Sequence, residues 1–337
     1  MTLRSIPSGA AAPLAGMVLA ALLALPGWAH AQAFRDEFVP EGHLGLEIAR
    51  FQQDQDRAFD RSGELRPLRS YLIPNRNAYG QASGPIERNV TETDLRLTAG
   101  LSDHTNLFLQ LPYLELEQDS RLRTSSQRAD FNREVDSLDS QSLSGPGDLT
   151  ALLMFRPVFS DRNGFVWGYG ITHPLRGRSE SDPGLYALAL RSPNPKLQSF
   201  LHYTRYMRLE HSRFDLRLEA QTGLTGKIDT LEEGSRPYRS GNGVAGETGW
   251  YFEAGPVGAG VSLEERYAGQ NRVDGVGQED PRKATLLHWR FGFGNLADLE
   301  EGPVTLPYQI RLTLDRSLRG FNVPYENGMT LSILFFF

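Results

Sequence analysis

Ionisable side chains recur at every second position in several stretches of this chain. Asp94 and Arg96, Arg217 and Glu219, Glu264 and Arg266, and His288 and Arg290 are spaced in this way, with Glu247 and Arg311 set among similar neighbours. A spacing of two places both members on one face of a strand. Such a face can line a passage, replacing part of a solute's hydration and setting its charge preference. It can also knit into ion pairs that fill an interior.

Catalysis would need more than this. A covalent hydrolase holds its nucleophile against a base, and the chain has no cysteine. Its histidines after residue 31 are His43, His104, His173, His202, His211 and His288, and none lies two residues before a serine. The pair His211-Ser212 falls where a turn is expected, and polar residues are ordinary there. His202 and Glu219 are predicted to face each other across one hairpin, without a nucleophile beside them. His and carboxylate spacing does not match a zinc site. The sequence therefore predicts a non-enzyme with no metal and no cofactor. Its candidate lining residues are Asp94, Arg96, Arg217, Glu219, Glu247, Glu264, His288, Arg290 and Arg311.

The elements that must position these residues read as strands. Period-two alternation marks twelve of them, near 43–53, 92–101, 106–117, 147–157, 164–174, 197–208, 213–225, 242–253, 257–267, 284–294, 305–316 and 328–337. In one, Phe214, Leu216, Leu218 and Ala220 alternate with Arg213, Asp215, Arg217 and Glu219; in another, Leu287, Trp289, Phe291 and Phe293 alternate with His288, Arg290 and Gly292. Three registers are less regular. Residues 197–208 carry aromatics in both phases, Pro112 removes a ladder donor, and the alternation of 43–53 decays by Arg50. Short turns at 102–105, 158–163, 209–212 and 254–256 alternate with long polar connections at 54–91, 118–146, 175–196, 226–241 and 268–283.

Strands of about ten residues, one apolar face and alternately short and long connections are the pattern of an antiparallel transmembrane β-barrel. A secreted sandwich would use shorter strands. Aromatics near the strand ends (Trp167, Tyr169, Trp250, Phe252, Trp289, Tyr308, Phe337) suit interfacial girdles. The last ten residues alternate and end on Phe337, which looks like the signal that barrel-assembly machinery reads. Twelve strands fall between a packed interior and an open channel. Interior glycines (Gly168, Gly170, Gly243, Gly249, Gly258, Gly260, Gly292, Gly294) favour a narrow passage over a filled core.

The amino terminus agrees. Arg4, the apolar run Leu14 to Leu25, Pro26-Gly27 and Ala29-His30-Ala31 make a signal peptide, with cleavage after Ala31 or Ala33 and one barrel domain over 32–337. Loss of residues 1–31 removes Arg4 from the 35 basic side chains and none of the 41 acidic ones, taking the net charge from −6 to −7. That acidity argues against nucleic acid as a partner. Outer-membrane lipids and lipopolysaccharide are the expected surroundings. The stretch 118–143, rich in Arg, Asp, Ser and Gln, reads as a solvated loop in preference to a lipopolysaccharide contact or a lumenal plug, and 54–88 as cover for the mouth.

Two segments resemble one family. Leu101-Ser102-Asp103-His104-Thr105-Asn106-Leu107-Phe108-Leu109-Gln110-Leu111-Pro112-Tyr113-Leu114, followed by Gly145-Pro146-Gly147-Asp148-Leu149-Thr150, is similar to the hairpin and strand start of the transporter-like outer-membrane family named for a MetA pathway of phenol degradation. The resemblance is strongest over about 95–157. It implies an outer-membrane barrel, with transport of small, aromatic compounds, and offers no catalytic motif. Asp103 and Gly147-Asp148 are also ordinary turn chemistry.

Overall fold

The computed structural model describes residues 38–72, 82–121, 123–124, 140–160, 163–175, 194–207, 212–230, 234–254, 256–277, 281–295 and 308–337. The signal-peptide reading, residues 122 and 125–139 of the 118–143 connection and residues 73–81 of the 54–88 connection lie outside these residues. No helix among the described residues is long and apolar enough to cross a membrane.

Alternating residues build twelve antiparallel strands. They are β1 (Leu44–Gln55), β2 (Ala82–Ser102), β3 (Thr105–Ser120), β4 (Asp148–Phe159), β5 (Asn163–Pro174), β6 (Lys196–Tyr206), β7 (Ser212–Gly223), β8 (Gly243–Ala254), β9 (Val257–Ala268), β10 (Arg282–Asn295), β11 (Tyr308–Phe321) and β12 (Asn327–Phe336). Each pairs with the next in sequence, and β1 pairs with β12, so the sheet closes as a transmembrane β-barrel without an exposed edge. The seam is continuous to the last residue. Phe337 N–H donates to the Leu44 carbonyl at 2.8 Å, and Leu44 N–H returns to Phe337 at 3.1 Å.

The register fixes which phase faces out. Ile48, Leu95, Trp167, Leu218, Trp250, Trp289 and Leu331 point away from the lumen and are exposed. So many apolar side chains around a closed sheet demand a hydrocarbon environment. All twelve strands coincide with those read from alternation, but the β2–β3 hairpin is longer than expected. Its outer part runs from Ile86 opposite Ser120 through Glu87 opposite Asp119. There the outward face is polar, so the contrast that marks a lipid-facing strand fades while the ladder continues.

Pro112 sits where β3 changes partner. Below it, Gln110 pairs with Thr150 of β4; above it, Tyr113 pairs with Pro146 of a short strand over Ser140–Pro146. Gly147 N–H donates to the Pro112 carbonyl at 2.8 Å, so the missing proline donor falls at this junction. Two small sheets cap the long-loop end. One joins Arg57–Phe59, Leu65–Pro67 and Val323–Pro324; the other joins Gly226–Thr230, Gly234–Arg239, Arg272–Val273 and Val276–Gly277. In the first, Asp60 accepts from the Ser62 hydroxyl at 2.6 Å and from two backbone N–H groups. These bonds, led by the hydroxyl, hold the Asp60 carboxyl below the ordinary range.

The chain before β1 enters the barrel. Phe38 and Val39 are buried, and Gly42 turns the chain into β1 at φ 75°, a conformation that favours glycine. Gly42 N–H donates to Gly100 at 3.0 Å, and Gly100 N–H donates to His43 at 3.0 Å. Gly100 is a close-approach site, since a Cβ there would lie 1.9 Å from the Pro40 carbonyl oxygen. The clash falls on the entering segment, not on another strand. Gly100→Ala is therefore expected to expel residues 38–41 and keep the barrel. A Val39→Cys reporter should then react with a water-soluble maleimide at the rate of an exposed thiol, with heat-modifiable gel migration retained; a protected thiol would contradict this.

Candidate functional site

The lumen holds a cavity of about 930 Å³, joined through shared lining residues to a smaller one of about 360 Å³. Its two sides differ in chemistry. From β3 to β6 the lining is Phe108, Gln110, Thr150, Leu152, Met154, Gln198, Ser199, Phe200 and His202, of which only His202 is ionisable. Thr172 links this wall by accepting from Gln198 at 2.6 Å and meeting Thr150 at 2.8 Å. The opposite side, from β7 round to β2, is ionic. It carries Arg213, Asp215, Arg217, Glu219, Glu247, Glu264, Arg266, His288, Arg290, Arg311, Asp315, Glu47 and Arg96.

Phe38 forms the floor. It packs in one apolar cluster with Phe108, Leu152, Met154, Val166 and Phe200, and the Arg156 guanidinium lies 4.2 Å above its ring. Val39 joins Leu334 and Phe336 on the other side of the floor. Beside them Asn106 is fully buried, and neither side-chain polar atom has a hydrogen-bond partner among the described residues.

All nine lining candidates lie on the lumenal phase of their strands. Asp94 borders the smaller cavity and the other eight border the larger. Arg96 bridges Asp94 at 2.7 Å and Glu47 at 3.3 Å, while Gln110 donates to Asp94 at 2.9 Å. Arg217 meets Glu219 at 2.6 Å and lies 5.3 Å from the Phe200 ring centroid, where the two walls touch. His288 stands between Asp315 at 2.6 Å and Glu264 at 3.1 Å.

Of Glu264, His288, Arg290 and Arg311, which lie on the lumenal phase of three consecutive strands, Glu264 and His288 pair, and the two arginines turn elsewhere. Arg290 turns to Glu247 at 2.7 Å and to the Tyr251 hydroxyl, Arg311 donates to Gln309, and Arg266 occupies Glu264 at 2.6 Å. The register alone does not set these pairings: Glu247 lies directly opposite Glu264, so both carboxylates stand two rows from Arg290, and Arg290 takes Glu247 while Arg266 and His288 occupy Glu264. His202 and Glu219 do not meet. His202 stands opposite Arg217 and lies 3.7 Å from Asp215, while Phe200 faces Glu219.

Three of the interior glycines, Gly168, Gly249 and Gly260, are sockets for aromatic rings and do not leave open room. A Cβ at Gly168 would lie 2.2 Å from the Phe200 ring; Cβ atoms at Gly249 and Gly260 would lie 2.6 and 2.2 Å from the Tyr251 ring. The two rings lie down across these positions. Phe200 and Tyr251 were not among the candidates, although each faces a strand position held by glycine, a signal that was present in the sequence. Residues 38–39 gave no such sign, because they precede the first alternating segment.

No family model matches the chain. No curated protein sequence matches it either. Among solved structures, the barrel is similar to an outer-membrane channel from Pseudomonas putida F1, with a TM-score of 0.64, 17% identity, and coverage of 91% of this chain and 100% of that one. At this identity the likeness is one of fold. A FadL homologue from Pseudomonas aeruginosa aligns with a TM-score of 0.37 at 8% identity over 87% of this chain and 89% of that one. The toluene transporter TodX of Pseudomonas putida does so at 0.34 and 8% over 94% and 93%. These two likenesses are too loose to carry an argument.

Proposed function

We propose that this chain is an outer-membrane channel, exported by its N-terminal segment and folded with the barrel-assembly machinery, that lets small solutes diffuse through its lumen unchanged. The two-sided cavity carries the reading. A charge-free wall of Phe108, Leu152, Met154 and Phe200 faces an ionic wall across one space, which suits solutes with an apolar body and a polar end, aromatic acids among them. On the ionic side Arg96, Arg217, Arg290 and Arg311 replace part of the hydration of the polar end, with Glu219, Glu247, Glu264 and Asp94 balancing them. On the other side the body leaves water for an apolar surface. The lumenal histidines are held by carboxylates, which favours a structural role for them over a catalytic one.

A closed barrel is the second reading, and the floor formed by Phe38 favours it. Proteoliposome swelling separates the two. Vesicles holding the protein should swell faster in sodium benzoate than in a neutral sugar of comparable mass, and should show stepwise currents in a planar bilayer. Absence of both, in the intact protein and after release of residues 38–41, would leave only the closed barrel.

A further inference from the structure

The outward face at the long-loop rim is not uniformly charged. On β9 to β11 the apolar outward side chains Leu263, Leu287 and Leu314 give way to Glu265, Lys283, Arg316 and Arg319, with Arg316 directly opposite Leu287 and Lys283 also bordering the mouth of the lumenal cavity. Glu265 receives Arg319 at 2.5 Å and Lys283 at 3.3 Å, and Arg319 also donates to the Thr285 hydroxyl at 2.9 Å. Arg316 donates to the Tyr325 hydroxyl at 3.2 Å. Among the described residues three outward cations thus share this rim with one outward carboxylate, and Arg319 and Lys283 remain 69% and 49% exposed at their side chains.

The backbone contributes to this grouping. Strict alternation from Arg316 would send residue 319 into the lumen. A register shift intervenes, with Leu286 opposite Ser317 and Thr285 opposite Arg319, so that Arg319 joins the outward phase. Bulges of this kind re-aim a side chain. Acidic side chains predominate elsewhere: the outer part of the β2–β3 hairpin presents Glu87, Glu115, Glu117 and Asp119 on its exposed face, with Arg50 of β1 3.9 Å from Glu115. A rim made only for solubility would mix the two signs.

We propose that the rim of β9 to β11 seats the phosphorylated headgroup of an anionic glycolipid of the outer leaflet. Its phosphates meet Lys283, Arg316 and Arg319, and its acyl chains lie on Leu263, Leu287 and Leu314. Guanidinium groups suit phosphate because they donate in a planar fork. Glu265 gathers Arg319 and Lys283 before the lipid arrives, and the four side chains together carry two net positive charges. The seat rests on the membrane placement proposed above and is independent of transport.

The test uses the full-length protein in detergent, with diphosphoryl lipid A, dephosphorylated lipid A and inorganic phosphate as probes and native mass spectrometry as the readout. The wild type should retain diphosphoryl lipid A, bind the dephosphorylated form far less and ignore inorganic phosphate at equal concentration. Each cation beside an anionic headgroup strengthens binding about fivefold, so the triple variant Lys283→Ala, Arg316→Ala, Arg319→Ala should bind about a hundredfold more weakly. Arg319→Glu alone guards against misfolding of the triple variant and should weaken binding by about fivefold or more. Glu115→Gln with Glu117→Gln, on the acidic hairpin, should leave binding unchanged. Equal binding by Arg319→Glu and wild type, or indifference to the phosphates, would overturn the seat while leaving the membrane reading intact. A chain that stays soluble without detergent would overturn both.

Discussion

Phe38→Ala is expected to raise the single-channel current severalfold. The ring fills the lumenal floor against Phe108, Leu152, Met154, Val166 and Phe200 and is only 2% exposed. Truncating a buried phenylalanine costs about 3 kcal/mol or more. Here the loss falls on docking of a short segment and leaves the ladder intact, so it weakens docking about a hundredfold without melting the barrel. Two features favour release. Asn106 lies buried without a side-chain partner among the described residues, a cost of about 1–3 kcal/mol that water removes once the floor opens. Arg156 stacks on Phe38 by its flat face and can turn to solvent when the ring leaves. Planar-bilayer recordings decide the matter: an unchanged step size in Phe38→Ala would mean that the floor does not limit flow.

The second large effect is expected at Arg290. This side chain holds Glu247 at 2.7 Å and donates to the Tyr251 hydroxyl, which itself lies across Gly249 and Gly260. Arg290→Glu changes the ionic wall by two charges and sets two carboxylates together. Reversal potentials in a potassium chloride gradient should move toward cation preference. Stability should fall by about 2 kcal/mol, less than for a fully buried pair because lumenal water screens the loss. Arg290→Lys keeps the charge and should preserve selectivity while weakening the planar contact. An unaltered reversal potential in Arg290→Glu would place the ion path away from this wall.

Much of this architecture was legible in the sequence because lipid imposes a strict rule. Every backbone group must pair and every outward side chain must be apolar, so strands such as 213–223 and 284–294 announce both their direction and their faces. The lumenal phase of Asp94, Arg217 and Arg290 followed from the same alternation. Partner choice did not follow, because it depends on the reach and competition of side chains from several strands. Glu247 and Glu264 stand opposite each other at equal offset from Arg290, yet Arg290 takes Glu247 while Arg266 and His288 hold Glu264. Glycines misled for a related reason. Gly168 and Gly260 read as space until the rings of Phe200 and Tyr251 are placed over them. Phe38 was not legible because its burial depends on five residues from four other parts of the chain.

The seam between Leu44 and Phe337 bears on the order of folding. Its partners are β1 and the residue that follows β12, so bringing them together closes a loop that spans nearly the whole barrel. A growing polypeptide can zip each hairpin to the next but cannot become a cylinder before β12 is made. Until then it presents two unmatched borders, each able to recruit a stray strand from another copy. Truncation at the tail should therefore cost far more than its few hydrogen bonds suggest, because it denies the sheet its only means of hiding both borders at once.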